Sequence, residues 1–131
     1  MKKFILMMFC TFAMSTALSA QDVEVIYFHG KQRCPTCLAI ETETRTTVED
    51  ELAKYVEDGS LKLSVIDYST ESGKELAKKY KVTFSSLFVV ANPGQKDESV
   101  EDFTRFAFGY ARSNAVVFRD ELKKKILEAI K

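Results

Sequence analysis

Cys34-Pro35-Thr36-Cys37 ends a stretch in which Val23 to Phe28 reads as an apolar strand and Gly30 to Arg33 as a polar loop, and it opens a long amphipathic helical pattern. That setting makes the cysteine pair a candidate redox site rather than two incidental thiols. A C-x-x-C pair is short enough to close into a disulfide. At a helix start the first sulfur meets unpaired backbone N–H groups and the positive end of the helix dipole, and both favour thiolate. Pro35 suits the first helical position, where its missing N–H costs nothing and its φ is already helical. This reading places Cys34 near the N-cap as the exposed nucleophile and Cys37 inside the helix as the resolving partner.

Upstream, Lys2 and Lys3 precede the apolar run Phe4 to Met14, and Ser15 to Ala20 are mostly small. This is the pattern of a cleavable signal peptide over residues 1–20, and it leaves residues 21–131 as one domain. The apolar run is well short of the ~20 residues a spanning helix needs, so cleavage is expected rather than anchoring. Cys10 lies within that run behind Met8 and Phe9, a poor setting for a lipidated cysteine, and departs with the leader. The expected location is therefore the periplasm or the exterior, where disulfides persist. The only cysteines left there are Cys34 and Cys37.

The 131 residues carry 19 basic and 19 acidic side chains. Such a balance offers no electrostatic case for nucleic acid or an anionic membrane as partner, and a monomer is expected. From Pro35 the positions Cys37, Ile40, Thr44, Val48, Leu52 and Tyr55 recur at helical spacing, predicting one helix to about Glu57 before Gly59. Leu61 to Asp67 alternates as a second strand, and Glu71 to Tyr80 reads as a short helix. Phe84 to Ala91 is the strongest β run, a central strand covered on both faces. Asn92-Pro93-Gly94 makes a turn and Lys96 to Glu98 a solvated tip; Ser99 to Phe103 follows as an antiparallel edge strand. Phe106 to Lys131 is mostly helical, with a break near Ser113-Asn114. The aromatic stretch Phe103, Phe106, Phe108 and Tyr110 is read as core packing in preference to a ligand groove.

In this order the mature chain resembles the thioredoxin-like superfamily over nearly its whole length. The specific part of the resemblance is the cysteine pair between strand and helix. It implies an α/β fold with a central mixed sheet of about four strands flanked by helices. It also implies a disulfide that exchanges with thiols and disulfides of other proteins and is recharged by a redox partner, with Cys34 attacking and Cys37 resolving. The redox-active disulfide itself replaces any organic cofactor. With proline directly after the first cysteine, Cys34-Pro35-Thr36-Cys37 is more similar to glutaredoxins and periplasmic disulfide oxidases than to thioredoxin, whose pair encloses Gly-Pro.

Two positions depart from the family pattern. A cis-proline usually precedes the third core strand and faces the cysteines, supporting substrate docking and keeping metal ions from the sulfurs. In Val82-Thr83-Phe84-Ser85-Ser86-Leu87 its place falls to Ser85, with a trans bond or a costly cis one. A buried acid usually stands on the first strand; the nearest residue is Tyr27, a poor base. Glu41, one turn after Cys37, and His29, the only histidine, are the candidate substitutes. Lys31 and Arg33 are solvated loop charges that lower the Cys34 pKa if they approach it. Against the exchange reading stand two others: a passive structural disulfide on an interaction scaffold, and a soft-metal or metalloid site using Cys34, Cys37 and His29. So short a loop removes little chain entropy when closed, which argues against a purely structural bridge.

Overall fold

Strand β1, Val23–His29, is buried on both faces, with Val23, Val25 and Tyr27 pointing into one core and Ile26 and Phe28 into the other. A strand so covered belongs in the middle of a sheet. The computed structural model, which describes residues 21–130, places β1 between β2, Leu61–Asp67, and β3, Ser86–Ala91. The pairing is parallel to β2, with Tyr27 beside Val65, and antiparallel to β3, with Tyr27 beside Leu87. Strand β4, Ser99–Asp102, closes the outer edge antiparallel to β3, giving the order β2-β1-β3-β4. This is the four-stranded mixed sheet of a thioredoxin-like fold. The expected leader, residues 1–20 with Cys10, lies outside the described residues.

The helix after the cysteines reaches Glu57 in three pieces instead of one. Helix α1, Pro35–Arg45, passes into a π-helical turn over Thr46–Glu51, and α2, Ala53–Glu57, completes it. The cause is legible in the stripe Ile40, Thr44, Val48 and Leu52, all buried and all four residues apart. An α-helix of 3.6 residues per turn rotates such a stripe by about 40° at each step, away from the sheet. The wider turn, in which the Leu52 N–H reaches the Thr47 carbonyl at 3.0 Å, unwinds the helix and returns Val48 and Leu52 to the core.

Helix α3, Glu71–Lys79, covers the face that carries Ile26 and Phe28, contributing Ala77, with Tyr80 just beyond it against Phe28 and Phe88. The opposite face is covered by α1, by α4, Thr104–Tyr110, and by α5, Ala115–Ala129, whose Phe118, Leu122 and Ile126 are wholly buried. The expected turn forms, with the Gln95 N–H 3.1 Å from the Asn92 carbonyl and Gly94 at φ +76°. No helix among the described residues is long and apolar enough to cross a membrane.

Three expectations need correction. The third strand begins at Ser86, not Phe84, because residues 82–85 belong to the loop that meets the cysteines. The helical region begins at Thr104, whose hydroxyl accepts from the Leu87 N–H at 3.0 Å and so ties the helix start to β3. The aromatic stretch divides: Phe103 is core and Phe106 packs against it, but Phe108 and Tyr110 are exposed. Phe106 and Tyr110 stack at 4.5 Å and border a groove of about 570 Å³ with Glu101, Glu121 and Lys125.

Gly73 supplies a test of the packing. It lies in the first turn of α3, where the Thr70 hydroxyl accepts its N–H at 3.0 Å, and a Cβ there collides with the Asp67 backbone carbonyl. Gly-to-Ala within a helix ordinarily stabilises by up to about 1 kcal/mol. Here Gly73→Ala is expected to destabilise by about 2 kcal/mol, as overpacking does, in urea unfolding. A neutral or stabilising effect would contradict the close helix-strand contact.

Candidate active site

The active-site loop starts where β1 ends. His29 is the last strand residue and not a loop residue, with Nδ1 2.9 Å from the Gly30 carbonyl. Gly30 is buried beneath Tyr68, whose hydroxyl would sit 2.8 Å from any Cβ added there, so a larger residue would have to displace the Tyr68 ring. Lys31 stays exposed. The loop then delivers Cys34 to the N-cap of α1 with Pro35 in the first turn.

Cys34 and Cys37 are joined in a disulfide with their Cα atoms 5.0 Å apart. The Cys37 N–H donates to Cys34 Sγ at 3.0 Å, so one orphan donor of the helix start is spent on the first sulfur. The two sulfurs have unequal surroundings. Cys34 is exposed beside exposed Pro35 and half-buried Thr36, whereas Cys37 is only 6% exposed. Nucleophiles from solution therefore meet Cys34 first.

Beneath the pair lies a polar cluster. Tyr27 is fully buried, and its hydroxyl donates to the Cys37 carbonyl at 2.9 Å, tying the central strand to the first turn of α1. Burial raises the phenol above its ordinary value, while Arg33 and the Ser85 side chain act in the opposite direction. The phenol stays neutral and remains a donor. Ser85, also buried, has its Oγ 3.8 Å from Cys37 Sγ. Among the described residues no peptide bond is cis, so Ser85 takes its place with a trans bond. Phe84 projects from the same loop and is 59% exposed.

Arg33 is not a solvated loop charge: its guanidinium pairs with Glu41 across the loop-helix junction. Arg45 joins the same carboxylate at 3.1 Å. Burial alone would raise the Glu41 pKa, but the two guanidiniums outweigh it and hold the carboxyl below its usual value. A carboxylate so paired has a reduced affinity for a proton and suits a base poorly. The trio Cys34, Cys37 and His29 is not assembled either, since no group of three or more His, Cys, Asp and Glu among the described residues could hold a metal ion.

The site thus brings together Cys34, Cys37, Ser85, Tyr27, Arg33 and Glu41. The sequence pattern did not reveal the Arg33–Glu41 pair, because eight residues and a change of structure separate the partners. The Tyr27 hydrogen bond was open to strand parity: Tyr27 shares a face with Val23 and Val25, the face α1 must cover.

No protein-family model matches the sequence, and no curated protein matches it significantly. Solved structures similar to it include that of a thioredoxin from Thermus thermophilus, at 19% identity and a TM-score of 0.47, covering 82% of this chain and 72% of that one. Another is the structure of a malarial protein, at 21% identity and a TM-score of 0.42, covering 79% of this chain and 98% of that one.

The Glu41 pairing has a pH signature. Because the fold lowers its pKa, the stability it contributes is present above the unfolded value near 4.5 and is lost as pH falls through the folded value. Glu41→Gln is expected to be less stable than wild type at pH 7, with the difference shrinking as the pH is lowered below 4.5 in denaturant titrations. A difference that persists unchanged into acid would contradict the pairing.

Proposed function

We propose that this chain is an exported thiol-disulfide oxidoreductase that exchanges disulfides with protein thiols through Cys34 and Cys37. The fold and the close cysteine pair fit this class. The observation that carries the reading is the asymmetry of the pair, an exposed sulfur at a helix N-cap bonded to a buried one a single turn away. That arrangement suits sequential attack and resolution. Export rests on the signal-like residues 1–20.

In the reducing direction the Cys34 thiolate attacks one sulfur of a substrate disulfide, and the other substrate sulfur leaves as thiolate. The Cys37 thiol loses its proton to solvent and attacks Cys34 Sγ, closing the pair and expelling the second substrate thiolate. Two electrons pass from the cysteine pair to the substrate; oxidation of a substrate dithiol reverses each step. The exposed apolar side chains Leu38, directly after Cys37, and Phe84, directly before Ser85, offer a surface for a polypeptide next to the reacting sulfur. The partners are substrate proteins and a separate redox protein that recharges the pair.

Removing the resolving sulfur tests this mechanism. Cys37→Ser is expected to accumulate disulfide-linked adducts on Cys34 in its native compartment, separable by diagonal gel electrophoresis and lost when Cys34 is also replaced. Recovery of no adduct would count against exchange as the function.

A further inference from the structure

We propose that Ser85 is a catalytic residue of the exchange reaction, its hydroxyl donating a hydrogen bond to the Cys37 sulfur as the Cys34–Cys37 bond breaks. The proposal rests on the exchange reading above and assigns a role within the same site. When a substrate thiolate attacks Cys34 Sγ, a new S–S bond forms there. The electron pair of the old bond leaves on Cys37 Sγ, so this sulfur becomes an anion with no proton yet transferred. Cys34 is exposed and Cys37 is 6% exposed, so water solvates charge on the first sulfur far better than on the second. A buried anion without a hydrogen-bond donor is costly.

The neighbouring groups leave few donors for that task. Glu41 is ionised, donates nothing and has its charge balanced by Arg33 and Arg45. Arg33 Nε is a buried donor without a partner, while the hydroxyl in contact with Cys37 Sγ is that of Ser85. The Tyr27 hydroxyl already donates to the Cys37 carbonyl at 2.9 Å. The Ser86 hydroxyl donates to the Phe84 carbonyl at 2.8 Å. Ser85 Oγ lies 3.8 Å from Cys37 Sγ, a long O–H···S approach that charge on the sulfur shortens, as charge-assisted hydrogen bonds are shorter than neutral ones. The Ser85 side chain also hydrogen-bonds the Tyr27 phenol, so its hydroxyl turns from that neutral oxygen to the sulfur as charge develops there. In the resolving direction the same hydroxyl accepts from the Cys37 thiol before deprotonation and donates to the thiolate after it. Proline at this position, lacking a hydroxyl, could do neither.

The test is the opening of the oxidised pair by glutathione as a small thiol, with acid quench, alkylation and mass spectrometry to follow the adduct on Cys34. Ser85→Ala removes the hydroxyl without adding bulk and is expected to open about tenfold more slowly than wild type. Ser85→Thr, which keeps the hydroxyl, is expected to stay within about threefold. In the Cys10→Ser/Cys34→Ser chain, whose single thiol is Cys37, adding Ser85→Ala is expected to move the onset of thiolate absorbance at 240 nm to higher pH, a shift that a packing role would not cause. Opening of Ser85→Ala at the wild-type rate, or an unmoved thiolate onset, overturns the role of Ser85. Failure of wild-type protein to form any Cys34 adduct overturns the exchange reading instead.

Discussion

The Tyr27 hydroxyl, donating to the Cys37 carbonyl at 2.9 Å, joins the middle strand of the sheet to the first turn of the helix that bears the cysteines. A buried phenol needs a partner, and the Cys37 carbonyl supplies one. The consequence reaches outward from that bond. With α1 fixed at its head, Cys37 is turned inward over β1 and Cys34 is left at the cap facing solvent. The Ser85 loop, entering β3 beside β1, then closes over the inner sulfur.

The division of labour proposed for the sulfurs follows from that geometry. A helix start favours a thiolate on Cys34, and exposure lets substrate reach it. Burial protects Cys37 from unwanted partners and at the same time makes charge on it expensive. Glu41 is paired with two arginines and the tyrosine beneath is neutral, so in the proposed exchange charge at Cys37 falls to the Ser85 hydroxyl. The loop that offers Ser85 to the inner sulfur also exposes Phe84.

Much of this was legible in the sequence because the signals were local. The C-x-x-C with proline at the helix start, the alternation of Leu61 to Asp67 and the apolar run into Ala91 each report on neighbours within a few residues, and the strands and the Cys34 cap fall where they point. The rest depended on contacts between distant segments. The four-residue spacing of Ile40, Thr44, Val48 and Leu52 looked like an ordinary helical stripe, and only packing against the sheet shows that it needs a π turn. Arg33 looked like a loop cation until Glu41 was brought to it, and His29, read as a loop residue, is the last residue of a strand. Phe108 shared composition with its core neighbours but not their face of the helix, and Tyr110, stacked on Phe106, extends from that face to the surface.

The central claim is that Cys34 and Cys37 form a working disulfide and not a fixed staple. The reduction potential of the pair, obtained by equilibrating the protein with thiol buffers and counting free thiols at Cys34 and Cys37, separates the two most directly. The account predicts a value between roughly −270 and −120 mV, the range of exchange catalysts, with its less negative end marking an oxidant and its more negative end a reductant. A value below about −300 mV, where structural disulfides lie, would contradict it.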